Sequence, residues 1–268
     1  MLNRAISTPI AIIIILILVI LVGGFTWLQY GEMWRETTEL PEVELPDKGD
    51  FEEPEETTLE PKNCNYLIEG KNITLEDGYS ELEIVPGSAS KIITQYFGNE
   101  GFGDFNGDGL SDTAFILTQN QGGSGTFYYM VVALGDSKGC EGTNAVFLGD
   151  RVAPQTTKVE GSKIFANYAQ RKLSEPIVTP PSIAISKQLM VKGSELVDVT
   201  PEWAKKEQSC LISGGSIGTS LCCKSTGDFP NSCLIGACGC SPDSSHQVKI
   251  CDCGEGKCFD GEKCAILE

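Results

Sequence analysis

Two apolar runs, residues 113–117 (TAFIL) and 127–134 (FYYMVVAL), decide the fold of this chain of 268 residues, and residues 120–126 (NQGGSGT) connect them. Both runs are short and rich in β-branched and aromatic side chains, which is typical of β-strands. The glycines between them supply the backbone freedom that a tight connection needs. We therefore expect a β-hairpin here.

Further apolar runs of the same kind lie on both sides of this hairpin. Glycine, asparagine and aspartate separate them, and none has the period of a long helix. They predict a mainly β protein with a single antiparallel β domain over residues 63–200. The runs occupy residues 66–68, 73–75, 91–97, 145–148, 163–168 and 184–191.

The segment before the hairpin, residues 104–112 (DFNGDGLSD), has the spacing of a calcium-binding loop. Side chains with oxygen atoms occupy loop positions 1, 3, 5 and 9, Gly109 occupies position 6 where the chain must turn sharply, and position 7 offers its carbonyl. Clustered carboxylates repel one another unless a cation neutralises them. The predicted Ca²⁺ ligands are Asp104, Asn106, Asp108, Leu110 and Asp112.

This loop departs from the EF-hand in two ways. Phe115 occupies position 12 in place of the bidentate glutamate, and a strand is expected after the loop in place of a helix. The loop resembles those of FG-GAP repeats and dockerins, although a single copy argues against a β-propeller. A turn without metal is the alternative, and the missing glutamate implies weak affinity, about 10⁻⁴–10⁻³ M.

Ten of the twelve cysteines fall in the C-terminal region, residues 201–268. This region has few apolar residues, so a hydrophobic core alone would not stabilise it. Its cysteine spacings lack a C-x-x-C pair, which favours disulfides over structural zinc. We predict a small disulfide-rich module, with a thiolate metal cluster as the alternative, while Cys64 and Cys140 either pair in the β domain or stay unpaired. The ten cysteines are Cys210, Cys222, Cys223, Cys233, Cys238, Cys240, Cys251, Cys253, Cys258 and Cys264.

The uncharged apolar segment of residues 9–28 predicts a transmembrane helix within an anchor of residues 1–35. About 20 residues, each rising about 1.5 Å, match a hydrocarbon core of about 30 Å. Arg4 precedes the segment, and Glu32 and Glu36 follow it, which favours a cytoplasmic N-terminus and an exported C-terminal part. A cleaved signal peptide is the alternative.

Residues 36–62 are expected to form a disordered acidic linker. They contain eleven acidic residues, two lysines and four prolines, and they contribute strongly to the net charge of −17. Such a segment cannot bury enough apolar surface to offset the entropy cost of ordering. No basic face is visible in the chain, so nucleic-acid binding is not expected.

Five segments of the β region stand out as motifs: PGSASK (86–91), GDFNGDGLSD (103–112), GGSGTFYY (122–129), GDR (149–151) and APQTT (153–157). Together they resemble an uncharacterised bacterial envelope-protein family of lipoproteins and anchored proteins, over about residues 63–198. The cysteine-rich tail is similar to a module found beside that family's β domain. The resemblance implies a location and an architecture, and it implies no biochemical activity.

These features favour a binding or scaffolding protein held on the cell membrane, with an extracytoplasmic protein or glycan as its ligand. An enzyme is not expected, because the only histidine, His246, lies in the tail, which excludes a Ser-His-Asp site in the β domain. Two alternatives stay open. One is a metal-assisted hydrolase that uses Asp104, Asp108 and Asp112, and the other is an inhibitor-like disulfide module on a β support.

Overall fold

The predicted hairpin lies at the centre of the structure, a computed structural model that describes residues 59–87, 89–136, 139–234 and 238–267. Strand β5 (Asp112–Asn120) pairs antiparallel with β6 (Phe127–Asp136), and Ile116 lies opposite Met130. The prediction of a hairpin is therefore confirmed. The described residues belong to one compact unit, Glu56–Glu268.

Four more strands extend this hairpin into a six-stranded antiparallel sheet: β3 (Tyr79–Glu83), β4 (Lys91–Gly103), β7 (Gly139–Gly142) and β8 (Val146–Asp150). The order is β3-β4-β5-β6-β7, and β8 also pairs with β6. Strand β8 pairs with the first half of β6, and β7 pairs with its end. Two strands therefore share one neighbour at this edge.

A second, four-stranded antiparallel sheet consists of β9 (Ala153–Glu160), β10 (Lys163–Gln170), β11 (Ile183–Lys192) and β12 (Glu195–Asp198). Its order, β12-β11-β10-β9, follows the chain in reverse. Each strand therefore pairs with its neighbour in sequence.

The central hairpin is buried on both faces, which explains why its strands are apolar throughout rather than alternating. On one face, Ile116 and Met130 pack with Ile164 and Leu189 of the four-stranded sheet in one core cluster. Fully burying one such side chain stabilises the fold by about 1.5–3 kcal/mol. The interface between the two sheets is thus a main source of stability.

A small hairpin covers the other face of the hairpin strands. Its strands are β1 (Asn65–Ile68) and β2 (Lys71–Thr74). Tyr66 of β1 packs with Phe115 in a second core cluster, and their rings meet edge to face at 5.5 Å between centroids. At Gly142, a Cβ atom would collide with the backbone of β1, so glycine permits this close approach.

The C-terminal region begins with the single α-helix of the described residues, α1 (Glu202–Ile212), which the sequence did not predict. Two short antiparallel ladders follow: β13 (Ser216–Cys223) with β14 (Ser245–Asp252), and β15 (Lys257–Phe259) with β16 (Cys264–Ile266). The buried core here is small and centres on Phe229 and Phe259. As predicted, several disulfides supplement this core.

The predicted membrane segment, residues 9–28, lies outside the described residues, as does most of the predicted linker. Within the described part of the chain, no helix combines the length and apolarity that a membrane crossing requires. The described end of the linker contains a 3₁₀ helix, Pro61–Asn63, and the Lys62 ammonium lies 4.7 Å from the centroid of the Tyr96 ring.

Candidate functional site

The loop that joins β4 to β5 places three of the predicted cation ligands, Asp104, Asn106 and Asp108, on the protein surface. The Asp104 carboxylate accepts a hydrogen bond from the Gly109 N–H at 3.0 Å. The Asp108 carboxylate accepts one from the Leu110 N–H at 2.8 Å, and Asn106 accepts one from the Asp108 N–H at 3.0 Å. These bonds hold the three side chains on one short turn of chain.

Gly109 has φ of +85°, a left-handed conformation that glycine adopts without strain. The expected sharp turn is therefore present at this position. The loop also carries uncompensated negative charge, because no ion pair within the described residues involves Asp104 or Asp108.

Asp112, the fourth predicted side chain, has a different environment. It is fully buried, with an exposed fraction of 0%. Its two oxygens accept hydrogen bonds from the Phe105 N–H at 2.7 Å and the Gly135 N–H at 3.0 Å. Asp112 therefore connects the start of the loop to strand β6 from inside the protein.

Burial raises the pKa of the Asp112 carboxyl above its ordinary value. The hydrogen bonds from Phe105 and Gly135 oppose this shift, and the negative charge of Asp108 adds to it. A cation at the loop would lower the pKa of Asp112, because positive charge favours an ionised carboxylate. This is the opposite of the effect of Asp108.

The loop thus offers oxygen ligands of the type that Ca²⁺ prefers, on a segment with excess negative charge. Asp104, Asn106 and Asp108 are accessible, and Leu110 is 46% exposed on the same loop. Asp112 lies at the base of the loop, and its burial distinguishes it from the other three side chains, since both oxygens of Asp104 also accept backbone hydrogen bonds. The residues present fit a calcium site that uses the three surface side chains and the Leu110 carbonyl, with Asp112 as support.

All twelve cysteines form disulfides, and none is free. Cys64, just before β1, is bonded to Cys140 on β7, a pairing that the sequence had left open. Five bonds lie in the tail: Cys210–Cys251, Cys222–Cys238, Cys223–Cys240, Cys233–Cys258 and Cys253–Cys264.

Three sulfur atoms of the tail, those of Cys251, Cys253 and Cys264, lie within 4.8 Å of one another. Such a cluster would suit a soft metal ion if the thiolates were free. Here Cys251 is bonded to Cys210, and Cys253 is bonded to Cys264. The cluster is therefore the contact between two disulfides, which agrees with the predicted disulfide module rather than with its thiolate alternative.

His246 lies on β14, where it is exposed and its ring donates a hydrogen bond to the Thr226 carbonyl at 2.7 Å. A metal-assisted hydrolase would need a base beside the metal. Within the described part of the chain, no histidine or lysine forms a hydrogen bond with the loop side chains. The geometry thus offers the hydrolase alternative no specific support.

Sequence reasoning missed two features near this β domain. The first is the inward direction of Asp112, which depends on the position of Gly135, 23 residues away. The second is Lys187, a charged residue at an inward position of β11 between Ile185 and Leu189. The sequence signal for Lys187 was its charge, which interrupts the alternation of apolar residues along β11.

No protein-family model, curated protein or solved structure matches this chain.

Proposed function

We propose that this chain is a membrane-anchored binding or scaffolding protein of the bacterial envelope, displayed outside the cytoplasm. In this proposal, residues 9–28 span the lipid bilayer with the N-terminus in the cytoplasm, and the acidic linker separates the β region from the membrane. Its ligand would be an extracytoplasmic protein or glycan. The β region would bind one calcium ion, and the chain would have no catalytic role.

The observation that carries this proposal is the state of the cysteines. All twelve are in disulfides, including the Cys64–Cys140 bond outside the tail. Disulfides persist in oxidising compartments and are rare in the cytosol. Together with an apolar segment long enough to span a bilayer, this supports export and anchoring of the same chain.

Exposed aromatic side chains support a binding role. Phe97 and Phe102 of β4 are 47% and 62% exposed, and Phe147 of β8 is 46% exposed. Aromatic rings supply large contact area in protein interfaces. The Phe97 ring meets the half-buried Tyr128 ring at 5.6 Å between centroids, so this exposed ring is held in place by the sheet.

Protease added to intact cells, or to spheroplasts if an outer membrane intervenes, is expected to degrade residues beyond Glu32 and leave the membrane segment. The measurement is immunoblotting with tags at the two termini. A cytoplasmic marker that stays intact is the control. Protection of the C-terminal tag until the inner membrane is lysed would contradict the proposed orientation, and a mature N-terminus near residue 24 would show a cleaved signal peptide.

Calcium is expected to stabilise the β region through the loop at Asp104, Asn106 and Asp108. At free calcium of about 100 times the dissociation constant, binding adds about 2.7 kcal/mol to the free energy of unfolding. Asp108→Ala should remove most of this gain, because it deletes a ligand at the centre of the loop. Thermal unfolding with calcium and with chelator measures both effects.

Glu141→Ala is the matched control, because Glu141 is an exposed acid on β7, outside the loop. This variant should keep the full response to calcium. If calcium leaves the melting temperature unchanged in the wild type, in Asp108→Ala and in Glu141→Ala, the calcium site is refuted. The proposed membrane topology would not be affected by that result.

A further inference from the structure

Two disulfides of the tail lie in direct contact beside the helix α1. The Cys251 sulfur, which is bonded to Cys210, lies 3.7 Å from the Cys253 sulfur. It also lies 3.8 Å from the Cys264 sulfur, and Cys253 and Cys264 are bonded to each other. Among the described residues, no other set of three cysteine sulfurs is this close together. One sulfur of the Cys210–Cys251 bond is therefore within reach of both sulfurs of its neighbour.

The two bonds differ in their access to solvent. Cys253 and Cys264 are half-buried, so a small molecule can reach the bond between them, here called the surface bond. Cys210 is 0% exposed and Cys251 is 5% exposed, and their bond is called the buried bond. A disulfide reacts with a thiolate only if the thiolate can reach one of its sulfurs. A thiol from outside can therefore attack the surface bond but not the buried bond.

Gly215, just before β13, makes room for the contact between the bonds. A Cβ atom at this position would lie 2.6 Å from the Cys251 sulfur, 2.8 Å from the Cys210 sulfur and 3.0 Å from the Cys264 sulfur. These distances are too short for carbon and sulfur atoms, so any other residue would push the sulfurs away. Glycine thus lets sulfurs of both bonds gather against the same stretch of backbone.

We propose that the surface bond is a modification site for low-molecular-weight thiols such as glutathione, and that its opening is passed on to the buried bond. The thiolate of the small molecule attacks the Cys253 sulfur and forms a mixed disulfide there. The surface bond breaks, and its electron pair leaves on the Cys264 sulfur. The Cys264 thiolate then attacks the Cys251 sulfur, 3.8 Å away, and forms a Cys251–Cys264 bond. The buried bond breaks, its electron pair leaves on Cys210, and Cys210 takes a proton from water.

No oxidant or reductant other than the thiol takes part in this reaction. Two protein disulfides and one small thiol become one protein disulfide, one mixed disulfide and the Cys210 thiol. Attack on Cys264 gives the mirror route, because the Cys253 thiolate then lies 3.7 Å from the Cys251 sulfur. Both routes release Cys210.

The environment of Cys210 favours this end point. Its sulfur lies 3.7 Å from the Ser216 carbonyl oxygen, which can accept a hydrogen bond from a thiol S–H. A thiolate at a position without solvent exposure costs more than a neutral thiol. Cys210 therefore stays protonated after its release. Because the thiolate is the nucleophile, the return reaction is slow.

Breaking the buried bond removes the covalent link between the helix α1, which contains Cys210, and the strand β14, which contains Cys251. The Gln208 side-chain amide still donates a hydrogen bond to the Ser186 carbonyl of β11 at 2.9 Å. The modification thus alters the tail while this contact holds the helix against the β region. The site does not depend on the calcium loop or on the membrane topology.

Reaction of the full chain in lipid nanodiscs with reduced glutathione tests this route. Samples taken at early times are quenched with acid, and free thiols are alkylated with N-ethylmaleimide in denaturant at mildly acidic pH. Peptide mass mapping then locates both groups. Molecules with glutathione on Cys253 or Cys264 should carry N-ethylmaleimide on Cys210. The Cys233–Cys258 bond is the internal control, because it belongs to no set of three close sulfurs among the described residues. Glutathione on Cys233 should leave N-ethylmaleimide on Cys258, its own partner.

The double variant Cys253→Ser with Cys264→Ser removes the surface bond and the sulfurs that pass on the reaction. Its buried bond should react with glutathione at least about tenfold more slowly than in the wild type, because attack must wait for local opening of the tail. Without a transfer route, losing a crosslink would loosen the tail and speed this reaction. Cys233→Ser with Cys258→Ser, which removes another bond of the tail, should not slow the release of Cys210. Melting curves show whether each variant is folded.

Three results would overturn the proposal. The first is N-ethylmaleimide on the partner of the modified cysteine, with the buried bond intact. The second is no glutathione on Cys253 or Cys264 at any concentration that leaves the protein folded. The third is an unchanged or faster reaction of the buried bond in the folded variant without the surface bond, and if that variant is unfolded, the mapping of the wild type decides. None of these results would bear on the protease accessibility or the calcium response that test the proposed function.

Discussion

Replacing Cys64 and Cys140 together with alanine is expected to lower the free energy of unfolding by about 4 kcal/mol. The bond joins residues that are 76 positions apart in the sequence. Without it, the unfolded chain gains the entropy that closing this loop removes, and the gain rises with loop length. The bond also holds the chain beside β1 against β7, where β1 covers one face of the central hairpin.

Urea unfolding of the double variant beside the wild-type protein measures this effect. The dependence of the unfolding free energy on urea should become steeper, because an unfolded chain without this crosslink exposes more surface. Cys223→Ala with Cys240→Ala, which opens a loop of only 17 residues, is the comparison and should cost about 3 kcal/mol. A loss below about 1 kcal/mol in the Cys64 and Cys140 variant would contradict a role for this bond in stabilising the β region.

Asp112→Ala is expected to destabilise the protein by about 3 kcal/mol, even without calcium. The change leaves the buried N–H groups of Phe105 and Gly135 without their acceptor, and each unsatisfied group costs about 1–3 kcal/mol. Asp108→Ala is the matched control, because Asp108 is exposed on the same loop, and it should cost less than about 1 kcal/mol in chelator. Chemical unfolding of both variants in chelator gives the comparison.

The effect of Asp112→Ala should depend on pH in a defined direction. Burial raises the pKa of Asp112 in the folded protein, so ionisation of this carboxyl opposes folding. The contribution of the Asp112 carboxyl to stability is complete below its pKa in the unfolded chain, about 3.9. This contribution declines as the pH rises through the pKa in the folded protein. The loss of unfolding free energy caused by Asp112→Ala should therefore be smaller at neutral pH than below about pH 3.9. Equal losses by Asp112→Ala and Asp108→Ala in chelator would contradict the supporting role of Asp112.

Much of the β architecture could be predicted from local patterns. Each of the apolar runs that the sequence analysis named overlaps a strand, from β1 to β11. Within residues 63–200, the strands that were missed, β3, β7, β9 and β12, all lie at sheet edges. Such strands bury few side chains, so their sequences do not carry the apolar signal of a core strand. The helix α1 was missed because its apolar face is narrow, with only Cys210 fully buried.

By itself, the sequence determined the central hairpin, the glycine turn and oxygen-rich composition of the loop, and the disulfide bonding of the ten cysteines in the tail. These properties follow from residue type and short spacing, which govern backbone conformation within a few positions. Only the tertiary structure decided that Cys64 bonds Cys140, that Asp112 points inward to Gly135, and that Lys187 meets Asp198 and Lys205 at a cavity. Each of these depends on residues that are distant in sequence, and their proximity is set by how the two sheets and the helix pack, which no local pattern encodes.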